Sequence, residues 1–172
     1  MRTLLRPLAG LFMMGALCTM TSALADGLAK PTGPVVLTIS GKLTKTNTDK
    51  QTAVFDMAML KSIGMKTVQT STTWTKGKPK FEGPLARDVL KAVGATGSKT
   101  IAIALNDYKV EIPTADFTKY DVILAITMDG KTMSRREKGP LWIIYPRDQF
   151  PELVTPEADA KFLWQLKGLD VK

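Results

Sequence analysis

Histidine is absent from this 172-residue chain, and cysteine occurs once, at Cys18. With a single thiol, no disulfide can form within the chain. A zinc site built from the usual Cys and His ligands is excluded, as is the C-x-x-C-H attachment of a c-type haem. A nucleophile–base pair would have to come from Ser, Thr, Lys, Tyr or carboxylates, and none stands at a recognisable spacing. Acidic residues gather at Asp148, Glu152, Glu157 and Asp159, but they match no calcium loop and no ligand glycine lies among them. They read as a solvated stretch, and no metal ligands are assigned. Internal repeats, interdomain linkers and nucleic-acid motifs are also missing, so nucleic acid is not an expected partner.

Long apolar runs are confined to the start. Arg2 and Arg6 precede the apolar stretch 8–17, and Ala23-Leu24-Ala25 has the small-residue pattern of a cleavage site. Residues 1–25 therefore read as a cleaved export signal, leaving residues 26–172 as one periplasmic domain. The apolar stretch is short for a membrane span, so no spanning segment is expected after cleavage. Leu17 stands before Cys18 where a lipoprotein would carry a small residue. Arg2 and Arg6 are not adjacent, which removes the twin-arginine signal and points to export as an unfolded chain with no cofactor loaded. The mature part is then free of cysteine and must be held by its core. The whole chain has 24 basic and 16 acidic residues; without Arg2 and Arg6, 22 against 16 leaves a net charge of +6. That excess bears on solubility and anionic neighbours, not on fold.

Within residues 26–172, residues 35–40 and 53–55 have strand composition. Asp56 is placed to cap a helix over 57–63 that Gly64 closes, and its methionines read as core filler. A strand is expected over 67–74 and a loop over 76–79. Pro84 suits the first turn of a second helix, with Leu85, Val89, Leu90 and Val93 on one face and Gly94 at its end. Residues 100–105 and 108–112 read as a strand pair about Asn106-Asp107. A short helical turn follows at 114–116. Beyond Pro146, residues 147–159 read as loop plus one helical turn, and 162–166 as the last strand.

The organising stretch is 121–146. Residues 122–128 form an apolar, β-branched run suited to a strand buried on both faces. Asp129-Gly130 is the dipeptide of a type I′ hairpin, and 131–134 return as a more polar strand. Arg135, Arg136, Glu137 and Lys138 make a charged excursion ended by Gly139-Pro140, and 141–145 form a second buried run stopped by Pro146. This sequence of motifs, with Phe81-Glu82-Gly83-Pro84-Leu85, Val93-Gly94, Asn106-Asp107-Tyr108, Ile112-Pro113 and Trp164-Gln165-Leu166, resembles the oxidoreductase molybdopterin-binding domain. That is the fold of sulfite oxidases and their bacterial periplasmic relatives. The elements and the resemblance together give the expected class: α+β, mostly β, a single domain of layered mixed sheets with two or three short helices.

The resemblance implies a molybdenum held by a pterin dithiolene and one protein cysteine, a soft ligand for that metal. The chain departs from that pattern in three places. Thr70-Ser71-Thr72-Thr73 stands where the cysteine is expected, Trp142 where an arginine follows the glycine-proline turn, and Leu163 where a lysine precedes the last tryptophan. The candidate ligand site is drawn from Thr70, Ser71, Thr72, Trp74, Asn106, Tyr108, Arg135, Arg136, Lys138, Gly139 and Trp142. Hydroxyls, an amide and flat rings would line it, and the basic loop would hold an anion. Lys131 reads as a solvated charge and Trp164 as core. No cofactor is expected, molybdopterin being what the resemblance implies, and whether the chain is an enzyme is left open. The function read from these features is non-catalytic binding of a small anionic or planar ligand, reporting to a membrane sensor or redox partner protein. A periplasmic molybdopterin-dependent oxidoreductase and a structural docking subunit are the alternatives.

Overall fold

A computed structural model describes residues 27–172; the expected export signal lies outside the described residues. The chain order is β1 (Val35–Gly41), β2 (Ala53–Asp56), α1 (Met57–Ile63), β3 (Lys66–Gln69), β4 (Lys80–Gly83), α2 (Ala86–Ala92), β5 (Lys99–Ala104) and β6 (Lys109–Pro113). It continues with α3 (Asp116–Lys119), β7 (Ile123–Ala125), β8 (Thr127–Met128), β9 (Lys131–Thr132), β10 (Trp142–Ile144), two 3₁₀ turns (Arg147–Gln149 and Pro151–Leu153), α4 (Pro156–Asp159) and β11 (Leu166–Val171). The result is a mostly β, α+β domain with mixed and antiparallel sheets. No helix among the described residues is long and apolar enough to cross a membrane.

A five-stranded sheet runs β2-β1-β11-β5-β6, with β1 parallel to β11 and the other pairs antiparallel. A four-stranded antiparallel sheet, β3-β4-β8-β9, and the pair β10-β7 complete the sheets. Local chemistry accounts for several elements. Asp56 Oδ1 accepts the Met59 N–H at 2.8 Å and starts α1, while Oδ2 accepts the N–H groups of Thr32 and Gly33, each at 2.8 Å. One carboxylate thus caps a helix and ties down the segment leading into β1. Asp129 and Gly130, with φ of 49° and 76°, make the left-handed turn between β8 and β9, as a type I′ hairpin requires.

The apolar run 122–128 is divided between two sheets. Its first half, β7, pairs with β10, and its second half, β8, pairs with β4. Ile126 between them still donates its N–H to Glu82 O at 2.8 Å. β4 crosses closely here because Gly83 has no side chain: a Cβ on it would lie 2.0 Å from Leu124 O. Strands β7 and β10 are wholly buried, and they form the centre of a core that includes Phe81, Val89, Phe117, Tyr145 and Phe162.

Four sequence expectations need correction. β3 stops at Gln69, short of 74, because the hydroxyl side chains that follow bond to loops instead of continuing the ladder. Helix α2 begins at Ala86, with Pro84 and Leu85 still extended around an isolated bridge from Leu85 to Ile123. Residues 147–159 are more helical than expected, with two 3₁₀ turns and α4. The last strand is β11, not 162–166, and it lies centrally between β1 and β5. Its charged residues are satisfied sideways, Lys167 by Asp107 at 2.7 Å and Asp170 by Ser40 at 3.2 Å.

Candidate functional site

The three tryptophans of the chain meet in one cluster. Thr72 Oγ1 accepts the Trp74 N–H at 3.2 Å and shares a 2.9 Å hydrogen bond with Thr75 Oγ1, a side-chain turn that replaces the strand expected there. The turn sets the Trp74 ring edge-on to Trp164, with centroids 5.0 Å apart, and 6.4 Å from Trp142. Trp142, from β10, is 0 % exposed, and its Nε1–H donates to Phe162 O at 3.0 Å. It packs edge-on against Phe81 at 5.3 Å. Trp142 is therefore core, and it fixes the backbone of the segment that leads to Trp164.

Beside the cluster lies a cavity of about 310 Å³, walled by Trp74, Asn106, Tyr108, Phe162, Leu163 and Trp164, with the small residues Ala104 and Ala160. This is the size and apolar character of a pocket for a small molecule. Trp74 is 37 % exposed and Tyr108 58 %, high values for large rings in a domain with a well-formed core. The β5–β6 turn presents Asn106 and Tyr108. Asp107 adopts φ 65° there, and Asn106 Oδ1 accepts the Tyr108 N–H at 3.2 Å. The Asn106 amide nitrogen has no hydrogen-bond partner among the described residues.

The basic loop reaches this cluster through Lys138. Its Nζ lies 4.4 Å from the Trp164 ring centroid and 5.1 Å from that of Trp142, within cation–π range of both. Burial lowers the Lys138 pKa from its ordinary value. The loop is held firmly. Glu137 accepts from the N–H and the hydroxyl of Ser134 at 3.0 and 3.1 Å, and the backbone bond holds its carboxyl below the usual range. Gln165 donates its N–H to Lys138 O at 2.9 Å and its Nε2–H to Arg135 O at 2.6 Å. Gly139 is required by close approach, since a Cβ on it would lie 2.0 Å from Met133 O.

The structure thus brings Trp74, Asn106 and Tyr108 onto one cavity, with Lys138, Gly139 and Trp142 in the supporting shell around Trp164. The other candidates go elsewhere. Thr70 is 0 % exposed, and its Oγ1 accepts the Asp148 N–H at 3.1 Å. Ser71 donates its N–H and hydroxyl to the Asp148 carboxylate. The Ser71 hydroxyl, helped by its N–H and by Lys78 at 3.2 Å, holds that carboxylate below its ordinary pKa against the opposing effect of burial. Thr72 serves the Trp74 turn. Arg135 and Arg136 are exposed and do not line the cavity. Trp164, read from sequence as core, is only partly buried and forms a cavity wall. Phe162 and Leu163 were not singled out as site residues either. Phe162 is signalled only by the neighbouring Trp164-Gln165-Leu166 motif, and Leu163 also by its place where the resemblance expects a lysine.

The cofactor that the resemblance implies can be tested against these side chains. The described residues contain no Cys or His, and no three carboxylate, Cys or His groups converge among them. Of the hydroxyls standing where a thiolate is expected, those of Thr70 and Ser71 are turned onto Asp148 and that of Thr72 onto Thr75. No cationic side chain among the described residues lines the cavity to neutralise a phosphate. The residues present do not fit a thiolate-held molybdenum centre.

The family model for the oxidoreductase molybdopterin binding domain matches residues 33–150. That span supplies Trp74, Asn106 and Tyr108, while Phe162, Leu163 and Trp164 lie beyond it. No curated protein matches the chain. Among solved structures, the sulfane dehydrogenase SoxCD from Paracoccus pantotrophus is similar, with a TM-score of 0.58 and 16% identity. The match covers 78% of this chain but only 37% of that one, so the likeness is one of fold, a sulfite oxidase-like molybdopterin-binding architecture. On the family match, the chain belongs to the oxidoreductase molybdopterin-binding domain family.

Proposed function

We propose that this protein is an exported, periplasmic binding protein that uses the molybdopterin-binding fold without its catalysis. It holds a small planar or anionic ligand in the aromatic cavity and passes that state to a membrane sensor or redox partner. The observation that carries this reading is the cavity itself: partly exposed Trp74 and Tyr108 wall a space of about 310 Å³ together with Trp164, with no thiolate or metal-ligand cluster beside it among the described residues. Flat rings gain contact with aromatic walls at little cost in side-chain entropy. A ligand of about a dozen heavy atoms, at roughly 0.5 kcal/mol each, would bind with about 6 kcal/mol, a Kd in the tens of micromolar.

The three tryptophans form one cluster that includes two cavity walls, so intrinsic fluorescence reports directly on occupancy. Titration with planar probes should quench emission and raise Tm, since a ligand bound only to the folded state stabilises it. Trp74→Ala should remove both responses. Undiminished responses in that variant would place the ligand elsewhere.

A further inference from the structure

We propose that a second pocket, lined by α2 and α3, is a binding site for a small phosphomonoester, a phosphate carried on an apolar group. The pocket encloses about 370 Å³ and shares no wall with the aromatic cavity. It stands or falls independently of the function given to that cavity.

Arg87 and Lys91 stand four residues apart on α2, on one face of the helix, and both line this pocket. Thr44, Thr96 and Thr118 bring hydroxyls to its other walls, and none of the three hydroxyls has a hydrogen-bond partner among the described residues. Thr114 is also on the wall, but its hydroxyl is engaged by Thr100 at 2.9 Å. No carboxylate among the described residues lines the pocket. Asp121, outside the lining, takes Nη1 of Arg87, which orients the guanidinium and leaves its Nε and Nη2 donors uncommitted. Lys91 pairs with no carboxylate among the described residues, so its charge is unmatched.

This donor set selects the ligand class. A guanidinium, an ammonium and three hydroxyls offer more donors than the two oxygens of a carboxylate can use, whereas a phosphate monoester brings three strong acceptor oxygens and more charge. Leu90 and Phe117, 4 % and 1 % exposed, add apolar wall. A bare inorganic anion would leave that wall uncovered, and an apolar group on the phosphate covers it.

The walls are held by backbone bonds. Helix α2 ends at Gly94, left-handed with φ 59°, as the Ala95 N–H bonds to Leu90 O and the Gly94 N–H to Lys91 O, each at 3.0 Å. A Cβ on Gly94 would collide with Thr44 Oγ1, so the glycine admits that hydroxyl to the end of the helix. Thr44 donates its N–H to Val93 O and Thr96 to Lys42 O, both at 3.1 Å, and Thr114 donates to Ser98 O at 2.9 Å. The β1–β2 connection, the turn after α2 and the segment entering α3 are thereby fixed around the two cations.

The test is calorimetric titration of the full mature protein with cyclohexyl phosphate, whose ring is not flat, beside inorganic phosphate, cyclohexanecarboxylate and cyclohexanol. Cyclohexyl phosphate should bind about tenfold or more tighter than each of the other three, the range of a hydrogen bond to a charged group. Lys91 is exposed, so Lys91→Met keeps the fold and the aliphatic stem and removes the charge. It should weaken cyclohexyl phosphate by about tenfold or more, and Thr118→Val should weaken it by about threefold or more. Trp74→Ala, in the aromatic cavity, should leave it within about twofold. No binding of cyclohexyl phosphate at millimolar concentration would overturn the site. Equal binding of the carboxylate or the alcohol would overturn the phosphate, and equal binding of inorganic phosphate would overturn the apolar group. Affinity that survives Lys91→Met, or is lost in Trp74→Ala, would overturn the location and leave the function given to the aromatic cavity untouched.

Discussion

Replacing Trp142 with phenylalanine separates the two roles this position could have, a ligand-facing ring or a core residue. Trp142 is 0 % exposed, and its Nε1–H is the one donor to Phe162 O among the described residues. Phenylalanine leaves that carbonyl buried without a partner, at a cost of about 1–3 kcal/mol. The ring is smaller by roughly 40 Å³, and at about 24 cal/mol per Å³ the residual void adds about 1 kcal/mol. The edge contact with Phe81 remains available to the new ring. The sum is about 3 kcal/mol. With a urea slope of about 2 kcal/mol/M, the unfolding midpoint should fall by about 1.5 M. The emission maximum should move to the red, because the most buried of the three tryptophans is gone and half-exposed Trp74 dominates. A midpoint within about 0.3 M of wild type, with an unshifted spectrum, would refute the placement of Trp142 as a buried donor.

Gly139→Ala places a Cβ 2.0 Å from Met133 O, a backbone atom that cannot yield without moving the end of β9. Overpacking of this kind should lower stability by about 3 kcal/mol in urea unfolding. Asp56 gives a pH dependence. The N–H bond from Met59, then that from Gly33, holds its carboxyl below the ordinary range against the opposing effect of burial. A lowered folded-state pKa means stability that is present above the unfolded value and lost as pH falls toward the folded one. Asp56→Asn can still accept at one oxygen but not at two, so it should be less stable than wild type at neutral pH. The gap should narrow as pH drops through the carboxylate range, followed by thermal unfolding at stepped pH.

What was legible in the sequence was local. The Asp56 cap, the Asp129-Gly130 turn and the buried runs around 122–128 and 141–145 each depend on neighbours a few residues away, and each is present. The family motifs carried the fold, because their order survives even where single residues have changed. What escaped depends on distant partners. Nothing within 166–171 announces a central strand with Gly168, Lys167 and Asp170 in it; β1 and β5 supply that context, through Ser40 for Asp170, and the β5–β6 turn supplies Asp107 for Lys167. Likewise, the hydroxyls of 70–72 read as a strand face until Asp148, far along the chain, is seen to bind two of them. For the site, Trp74, Asn106 and Tyr108 were separately visible, but the burial of Trp142 comes from its bond to Phe162 O and its packing on Phe81, and Trp164 is left partly exposed as a wall of the cavity. A pattern of residues along one strand cannot show that.

The central claim, that the fold serves binding and not molybdenum chemistry, is tested most directly by native mass spectrometry with molybdenum analysis on protein isolated from its native host. The expected result is a polypeptide mass carrying a small organic ligand at up to one per chain, with no molybdenum. Stoichiometric molybdenum together with a pterin mass would contradict the account and make the chain an oxidoreductase with an unfamiliar metal ligand.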